Sequence, residues 1–385
     1  MELKLDQWAT TPPVGYPGAV PPPPGKRSAG FTNGEEPPAG YFNHAWDALA
    51  DTQNELANLI SGAGLTRSES DLTQVLAAIQ TLTGRAQLKT ALTTVRAIHD
   101  TAVGPKTLRA LARAPATRKA IAVGTAGTIQ ANTGPNSDFI AQAVAAGSSY
   151  AGDFNDIAYD ATLGLFIAVG SGGEIQTSTG DGTWTRRATG GGNNFVRVAT
   201  NGLGRCVAVG GGQLIKYSAN GTSWSTATSP FTGTPDILGV AFGAGVFVAA
   251  SSNGAVASSP DGIAWTVRHD LALPYSGSEV VYDAALGFLF HFESGVFRSV
   301  DGITWTQLHA GAGYGVLAAS PFGWLIVAAS ADGTSADVRY SPTAVGQAPN
   351  FTVDYVTSDN IDWMKFIDGQ LWALGGTKIY LGGVL

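Results

Sequence analysis

The strongest constraint on the fold is a motif that recurs at nearly constant spacing in the second half of the chain. Its pattern is Ser-x-Asp/Asn-Gly-x-x-Trp, and one further copy is shifted by one residue inside the turn. The four copies contain Asp181 and Trp184, Asn220 and Trp224, Asp261 and Trp265, and Asp301 and Trp305. Successive tryptophans are 40, 41 and 40 residues apart, and such regular spacing indicates an internal structural repeat.

A second element recurs more often than the tryptophan. It is a short apolar segment, usually ending in a small residue, and it occurs seven times, at 121–124, 167–170, 207–210, 247–250, 289–292, 325–328 and 371–374. One complete unit predicts four strands, over 156–159, 165–169, 174–177 and 184–187. Four short strands per roughly 40 residues predict an all-β, seven-bladed β-propeller over 104–385. The last unit has only three strands, and we expect residues near 100–106 to supply the fourth unless it is absent.

Local chemistry explains the repeated turn. Asp or Asn binds nearby main-chain amides, Gly supplies a positive φ, and Trp offers a large apolar surface for packing between blades. The turn resembles the Asp-box repeat of sialidase-like propellers, with a turn one residue shorter than the commonest form. In that family the box is structural and lies away from the ligand face. The resemblance therefore implies a structural role for the eight repeat residues.

The first 103 residues have a different texture. Residues 1–40 form a proline-rich arm that cannot build its own core, and residues 41–103 have helix-like periodicity. The first helical segment carries a stripe of Phe42, Trp46, Leu49, Gln53, Leu56 and Ile60. A second segment with Leu72, Val75, Leu76 and Ile79 and a third with Leu88, Leu92, Val95 and Ile98 repeat the apolar pattern. The segments are interpreted either as an intramolecular bundle or as a homo-oligomeric stalk, and the polar Gln53 in the stripe favours self-association.

Composition excludes several classes of function. The net charge of −7 opposes general attraction to nucleic acid or anionic membranes. The single Cys206 excludes an internal disulfide and zinc sites built from cysteine pairs. The five histidines have no metal-binding spacing, so we expect no metal and no cofactor. No signal peptide or membrane-spanning segment is visible, and synthesis in a cytoplasm is expected.

The search for catalytic residues gives little. The resemblance to sialidases stops at the repeat, because the chain has no Arg-Ile-Pro segment and only three glutamates in the propeller region. A propeller glycosidase that uses two aspartates remains an alternative. We expect no enzymatic activity.

Binding is the remaining function, and propellers usually bind ligands on the face formed by the connections between blades and by the turns between second and third strands. Aromatic rings beside Asn and Asp suit sugar recognition. The candidate ligand-binding residues on these loops are Tyr150, Asp153, Asn193, Asn194, Phe231, Asp236, Tyr275, Tyr314, Asp359 and Asn360.

Residues 10–80 resemble the N-terminal attachment segment of bacteriophage tail fibre proteins. The similar residues are Pro21–Lys26, Ala29–Pro38, Tyr41-Phe42-Asn43 and Asp71–Ile79. In that family the segment docks the fibre onto the tail tip or baseplate, commonly as a trimer. Here His44 follows Asn43, whereas the family has an Asn-Trp or similar aromatic helix start.

The leading hypothesis is a virion protein, a tail fibre or tail-tip receptor-binding protein. Its N-terminus would bind tail or baseplate proteins, and the resemblance implies that the same region forms a trimer. Its propeller would recognise a host glycan or an outer-membrane receptor. One alternative is a propeller depolymerase that acts on surface polysaccharide. Another is a tail or baseplate adaptor that binds only other virion proteins.

Overall fold

The structure is a computed structural model of the 385-residue chain. It divides into two compact units, Met1–Thr83 and Gly84–Leu385. The residues that the structure describes all belong to the second unit, and they are 96–100, 107–132, 139–144, 150–189, 192–270, 279–284, 286–292, 295–310, 316–319, 324–329, 336–342, 352–357, 361, 363–367, 370–375 and 378–384. Within these ranges, no helix has the length and apolar character needed to cross a membrane.

The described residues form β-strands, with one short 3₁₀ turn at Ser171–Gly173. Strand β1 is Arg96–Asp100. Sheet 1 contains β2 (Leu108–Arg113), β3 (Ala120–Gly124), β4 (Ile129–Asn132) and β5 (Phe139–Gln142). Sheet 2 contains β6 (Phe154–Asp160), β7 (Leu165–Gly170), β8 (Glu174–Ser178) and β9 (Thr185–Thr189). Sheet 3 contains β10 (Phe195–Thr200), β11 (Cys206–Gly210), β12 (Leu214–Ser218) and β13 (Ser225–Thr226).

The pattern continues in the C-terminal half. Sheet 4 contains β14 (Ile237–Gly243), β15 (Val246–Ser251), β16 (Ala255–Ser259) and β17 (Thr266–Asp270). Sheet 5 contains β18 (Val280–Asp283), β19 (Gly287–Phe292), β20 (Gly295–Ser299) and β21 (Thr306–Ala310). Sheet 6 contains β22 (Val316–Ala319), β23 (Trp324–Ala329), β24 (Ala336–Pro342) and β25 (Thr352–Thr357). Sheet 7 contains β26 (Trp363–Ile367), β27 (Gln370–Gly375) and β28 (Lys378–Val384), and β1 is its fourth strand.

The sheets are antiparallel meanders whose first strands contact one another around a common centre. Strand β2 contacts β6, β6 contacts β10, and the series continues through β14, β18, β22 and β26. Strand β26 in turn contacts β2. Radially repeated four-stranded sheets with the first strands innermost define a β-propeller. The predicted all-β propeller is therefore confirmed.

The chain closes sheet 7 with a strand from its N-terminal side. Strand β1 pairs with β28 in antiparallel register, with Arg96 opposite Leu381 and Asp100 opposite Lys378. The fourth strand of the last unit thus comes from Arg96–Asp100, slightly before the expected 100–106. The helix predicted for the segment that ends at Ile98 is wrong for residues 96–100, because main-chain pairing with β28 makes them a strand. The rest of that segment, the stripe from Phe42 to Ile60 and the proline-rich arm lie outside the described residues.

Hydrophobic cores lie between adjacent sheets. One cluster joins Ile167, Val169 and Ile175 of sheet 2 to Phe195 and Cys206 of sheet 3. Similar clusters join sheets 3 and 4, and sheets 4 and 5. A further cluster combines residues of sheets 1, 2 and 7. Because sheets 2, 3 and 4 bury both faces against their neighbours, their second strands β7, β11 and β15 are almost entirely buried.

The strand order gives the propeller two distinct faces. The connections between sheets and the turns between second and third strands lie at one end of the strands, here called the loop face. The turns between first and second strands and between third and fourth strands lie at the other end, here called the hairpin face. Strand β1 runs from the hairpin face at Arg96 to the loop face at Asp100, because it is antiparallel to β28.

Candidate binding site on the loop face and in the channel

Main-chain hydrogen bonds fix the loop face at the start of the first strands of sheets 1 to 4. The carbonyl oxygen of the residue before the strand accepts a hydrogen bond from the amide just after the second strand of the same sheet. These bonds are Thr125 N to Thr107 O at 2.9 Å, Ser171 N to Asp153 O at 2.9 Å, Gly211 N to Asn194 O at 2.9 Å, and Ser252 N to Asp236 O at 2.8 Å.

This close approach explains the glycine that ends three of the recurring apolar segments. A Cβ atom on Gly124, Gly170 or Gly210 would lie 2.1, 2.2 or 2.0 Å from the carbonyl oxygen of the residue before the first strand. Any side chain there would push the connection away from the sheet. The glycine at the end of the sequence pattern is therefore explained by a close contact between two main-chain segments.

Three predicted ligand-binding residues use their side chains to join neighbouring sheets. Each accepts a hydrogen bond from a turn amide of the preceding sheet: Ala126 N to Asp153 Oδ1 at 3.0 Å, Gly172 N to Asn194 Oδ1 at 2.8 Å, and Gly212 N to Asp236 Oδ1 at 2.8 Å. Together with the carbonyl bonds, each residue binds two sheets at once. An oxygen of each predicted ligand group is therefore already engaged within the protein.

Two predicted aromatic residues are also engaged. The Tyr150 hydroxyl lies 2.7 Å from Asp153 O and 3.2 Å from Ser171 O, and its ring packs on Phe154 with centroids 4.9 Å apart. Burial, with the nearby charge of Glu174, raises the pKa of Tyr150 to about 12. Phe231 is buried in the core between sheets 3 and 4, so the prediction that its ring is available for stacking on a sugar is not met.

Among the other predicted ligand-binding residues, the structure describes only Asn193. Asn193 is exposed on the connection between sheets 2 and 3. Tyr275, Tyr314, Asp359 and Asn360 lie outside the described residues. The structure thus brings Tyr150 and Asp153 together, and it places Asn193 and Asn194 one connection further around the ring.

Sequence reasoning missed a polar pair at the inner edge of this face. The Arg109 guanidinium lies 2.8 Å from Asp153 Oδ2 and also donates a hydrogen bond to Asn155 Oδ1. Asn155 Nδ2 donates to Phe195 O at 2.6 Å, which extends the contact to sheet 3. Arg109 and Asn155 both occupy the extra position of a β-bulge in their first strands. A bulge is not visible in a strand pattern, so no signal in the sequence marked them.

A central channel runs along the first strands. A cavity of about 570 Å³ is lined by the first strands of sheets 1 to 5 and 7. Its charged residues are Arg113, Asp156, Arg197, Glu279, Asp283 and Lys365, three of each sign. A balanced lining favours ligands that carry both charged and apolar groups over a polyanion or a polycation.

Equivalent strand positions place charges of opposite sign next to each other in this channel. Asp156 is paired with Val169 and Arg197 with Val209, so the two residues take the same place in adjacent sheets. The equivalent residue of sheet 4 is Gly239, which has no side chain. Arg197 Nε lies 3.7 Å from Glu279 Oε1 of sheet 5, beyond that glycine.

Asp156 is a channel acid whose pKa is shifted by its surroundings. Its Oδ2 accepts a hydrogen bond from Val198 N at 2.9 Å. Burial raises the pKa of the Asp156 carboxyl and outweighs the opposing attraction of Arg197, the amide of Val198 and Lys365. Asp156 is partly buried in the wall of the channel, and the loss of solvation there is the largest effect on its carboxyl.

The described residues offer limited chemistry besides binding. They contain no group of three or more His, Cys, Asp and Glu side chains placed to hold a metal ion. The Cys206 thiol is fully buried. Burial and the charge of Asp160 raise its pKa to about 12, so it is not an activated nucleophile.

The repeated turns lie on the opposite, hairpin face. Asp261 Oδ1 accepts hydrogen bonds from Ile263 N at 2.9 Å and Ala264 N at 3.2 Å. Asp301 Oδ1 accepts from Ile303 N at 2.8 Å and Thr304 N at 2.9 Å, and these bonds lower its pKa. Asn220 Oδ1 binds two turn amides in the same way, and Asp181 Oδ1 binds the amide of Thr183.

The four tryptophans of the repeat pack where adjacent sheets meet. Trp184 is buried in the cluster that joins sheets 1 and 2. Trp224, Trp265 and Trp305 are partly buried against the clusters of sheets 2 and 3, 3 and 4, and 4 and 5, respectively. The turn and its tryptophan thus connect each sheet with the preceding one.

The sequence matches no protein-family model and no curated protein. Solved structures of propellers are nevertheless similar in fold. YCF48 from Cyanidioschyzon merolae is 16% identical, with a TM-score of 0.56 over 75% of this chain and 98% of that chain. YCF48 bound to D1 peptide is 15% identical, with a TM-score of 0.56 over 76% and 95%. The Cps50 (Swd1) β-propeller domain of Myceliophteria thermophila is 8% identical, with a TM-score of 0.55 over 76% and 100%. At these identities the similarity shows the fold alone.

Proposed function

We propose that this chain is a bacteriophage tail protein that binds a receptor on the host cell surface, and that it acts without catalysis. In this proposal the seven sheets are the blades of one seven-bladed ring, and the repeated turns belong to the Asp-box type. The N-terminal region attaches the protein to the tail and forms a homotrimer. The resemblance of residues 10–80 to tail-attachment segments supports the anchoring role.

The observation that carries the proposal is the direction in which β1 runs. Arg96 lies at the hairpin face, so the preceding residues enter the propeller there. If that region is attached to the tail, the hairpin face is on the side of attachment. The loop face and its end of the channel then point away from it, toward a host surface.

A binding assay with the full chain tests the proposal. Labelled protein is incubated with a panel of bacterial strains and with their purified envelope polysaccharides, and both retention and release of sugar fragments are measured. We expect saturable retention on some strains without release. Release of oligosaccharides would instead support the depolymerase alternative.

Matched variants locate the binding surface. Asn193→Arg and Thr232→Arg place a long charged side chain on exposed positions of the loop face, and Ala219→Arg does the same on the hairpin face. We expect the two loop-face variants to weaken retention at least tenfold and the Ala219 variant to bind like the wild type. Equal loss in all three variants would contradict recognition by the loop face.

One observation favours a second candidate, an adaptor that binds another protein. A propeller of similar fold was solved as YCF48 bound to D1 peptide, which shows that this architecture is compatible with a peptide ligand. Tyr150 and Phe231 also offer little free aromatic surface to a sugar, because one is hydrogen-bonded and packed and the other is buried. No retention on any strain or polysaccharide, combined with binding to isolated tails, would favour the adaptor.

A further inference from the structure

Large apolar side chains are exposed on several turns of the hairpin face. Leu203 is 77% exposed, Val300 63%, Ile303 43% and Ile263 38%. All four lie on turns of three consecutive sheets, namely sheets 3, 4 and 5. These four residues are called the hairpin patch.

The turns themselves do not require these apolar residues. Ile263 and Ile303 follow the turn glycine, and the same position is Thr183 in sheet 2 and Thr222 in sheet 3. All four residues donate their amide to the Asp or Asn of the turn, at 2.8 to 2.9 Å. Threonine therefore makes the same turn, and the two isoleucines expose apolar surface for another reason.

The turns of the patch are held firmly and lie next to one another. A Cβ atom on Gly262 would be 2.5 Å from Val207 Cγ2 of sheet 3, and one on Gly302 would be 2.7 Å from Val248 Cγ2 of sheet 4. Each turn therefore packs on the preceding sheet, close to the turn that carries the neighbouring patch residue. The patch is a preformed surface, so little conformational entropy is lost when it is covered.

Charges of both signs border the patch. Arg205 lies on a turn of sheet 3, Asp261 on a turn of sheet 4, and Arg298 and Asp301 lie beside and on a turn of sheet 5. When two identical surfaces meet, each acid of one copy can face a base of the other. The patch is also off centre, since it covers three of the seven sheets. An off-centre surface on each copy can meet its counterpart on another copy across a symmetry axis.

The point where the chain enters the propeller also favours a second copy of this chain as the partner of the patch. Arg96, where the preceding 95 residues join the propeller, lies at the hairpin face. In the homo-oligomer proposed above, on which this inference rests, each propeller is joined to the preceding region at Arg96. We propose that the hairpin patch is a contact surface between copies of this chain, formed by Leu203, Ile263, Val300 and Ile303.

Sedimentation equilibrium of the full chain tests this contact. The variant combines Ile263→Thr with Ile303→Thr, which copies the threonines of sheets 2 and 3. The control combines Ile140→Thr with Val267→Thr, which are exposed on outermost strands. We expect the dissociation constant of the oligomer to rise at least tenfold in the patch variant and to stay within twofold in the control. A monomeric wild type, or equal behaviour of the two variants, would overturn the proposal.

Cysteine cross-linking tests the same contact when the oligomer is too tight for its dissociation constant to be measured. Cys206 is the only cysteine and is buried, so a cysteine introduced by Ile303→Cys is the only accessible thiol. Under mild oxidation we expect a disulfide-linked dimer from Ile303→Cys and none from Ile140→Cys. No dimer, or equal dimer from both, would overturn the contact. Neither experiment uses cells, so their failure is distinct from failure of the proposed receptor binding.

Discussion

At the scale of single residues, Asp160 is central to the packing between sheets 2 and 3. Its Oδ1 accepts hydrogen bonds from Thr162 N at 3.0 Å and Leu163 N at 2.9 Å. Its Oδ2 accepts from the Thr200 hydroxyl and from Gly204 N at 3.0 Å. The carboxylate is fully buried, and four donors offset the cost of that burial. Its charge also acts on the neighbouring thiol of Cys206.

The Cys206 thiol is expected to be unreactive in the folded protein. Burial and the charge of Asp160 raise its pKa to about 12, so the thiolate is scarce at pH 8 and is also inaccessible. We expect less than about a tenth of the native protein to react with a thiol reagent within an hour, and full reaction in denaturant. Rapid stoichiometric labelling of the native chain, measured by intact mass, would contradict this packing.

Asp156 gives the channel a pH dependence of defined sign. Its pKa is raised in the folded state by burial, against the pull of Arg197 and Lys365, so folding favours the protonated carboxyl. This favourable contribution is fully present below the unfolded value near 3.9 and is lost as pH rises through the folded pKa. The other charged groups that line the channel are Arg113, Glu279 and Asp283.

Asp156→Asn should therefore stabilise the protein more at high pH than at low pH. The amide oxygen can still accept the hydrogen bond of Val198 N, while the buried charge is gone. We expect the Tm of the variant minus that of the wild type to be more positive at pH 8 than at pH 4, by calorimetry. Asp181→Asn is an exposed comparison of opposite sign: the amide of Thr183 lowers the pKa of Asp181, so its Tm difference should be more negative at pH 8 than at pH 4. A difference for Asp156→Asn that becomes more negative with pH would show that Arg197 and Lys365 outweigh burial.

At the scale of elements, the repeated turn requires glycine for two reasons, its backbone conformation and the lack of space for a side chain. Gly262 has a φ of +73° and lies where a Cβ atom would meet Val207 Cγ2 at 2.5 Å. Gly164, in the turn between β6 and β7, has a φ of +64° with no atom within 4 Å of the same position. A comparison of substitutions at these two glycines therefore distinguishes the cost of backbone strain from the cost of steric overlap.

Alanine substitutions at these glycines should differ in cost. Gly164→Ala is expected to lower the free energy of unfolding by about 1 kcal/mol, from left-handed backbone strain alone. Gly262→Ala should cost about 2 kcal/mol more, because the added methyl group overlaps the neighbouring sheet. Urea denaturation measures both. Equal losses would mean that Val207 moves aside without cost.

The recurring apolar segment was the most reliable predictor of an element. All seven predicted copies fall within second strands, since burial on both faces leaves a continuous apolar run. First strands were harder to delimit: the predicted 156–159 is Phe154–Asp160 in the structure, because the bulge interrupts its alternation. The site was less predictable still. Asp153, Asn194 and Asp236 were recognised as loop residues, but their bonds to the preceding sheet depend on how sheets pack together.

At the scale of the whole molecule, one short strand joins the two ends of the propeller. Strand β1 is separated from its partner β28 by almost the entire propeller sequence, and it covers the outer edge of sheet 7. The apolar periodicity that suggested a helix up to Ile98 could not reveal this pairing, because it depends on a partner near the end of the chain. Long-range pairing overrides a local helical preference here.

Removal of β1 should destabilise the ring. A chain that begins at residue 101 lacks the five-residue strand and leaves β28 as an open edge. Cross-strand pairs contribute roughly 0.2–1 kcal/mol each, so we expect a loss of about 3 kcal/mol in the free energy of unfolding. In calorimetry this corresponds to a Tm lower by about 5 to 10 °C.

The matched control is a chain that begins at Gly84, the first residue of the second compact unit, and it retains β1. We expect its Tm for the propeller transition to lie within about 2 °C of the full-length value, because no strand of the seven sheets is removed. If both truncated chains kept the Tm of the full-length protein, β28 would tolerate an open edge and β1 would not close the ring energetically. Equal loss in both would instead assign stabilisation to residues before Gly84, since these are absent from both truncated chains.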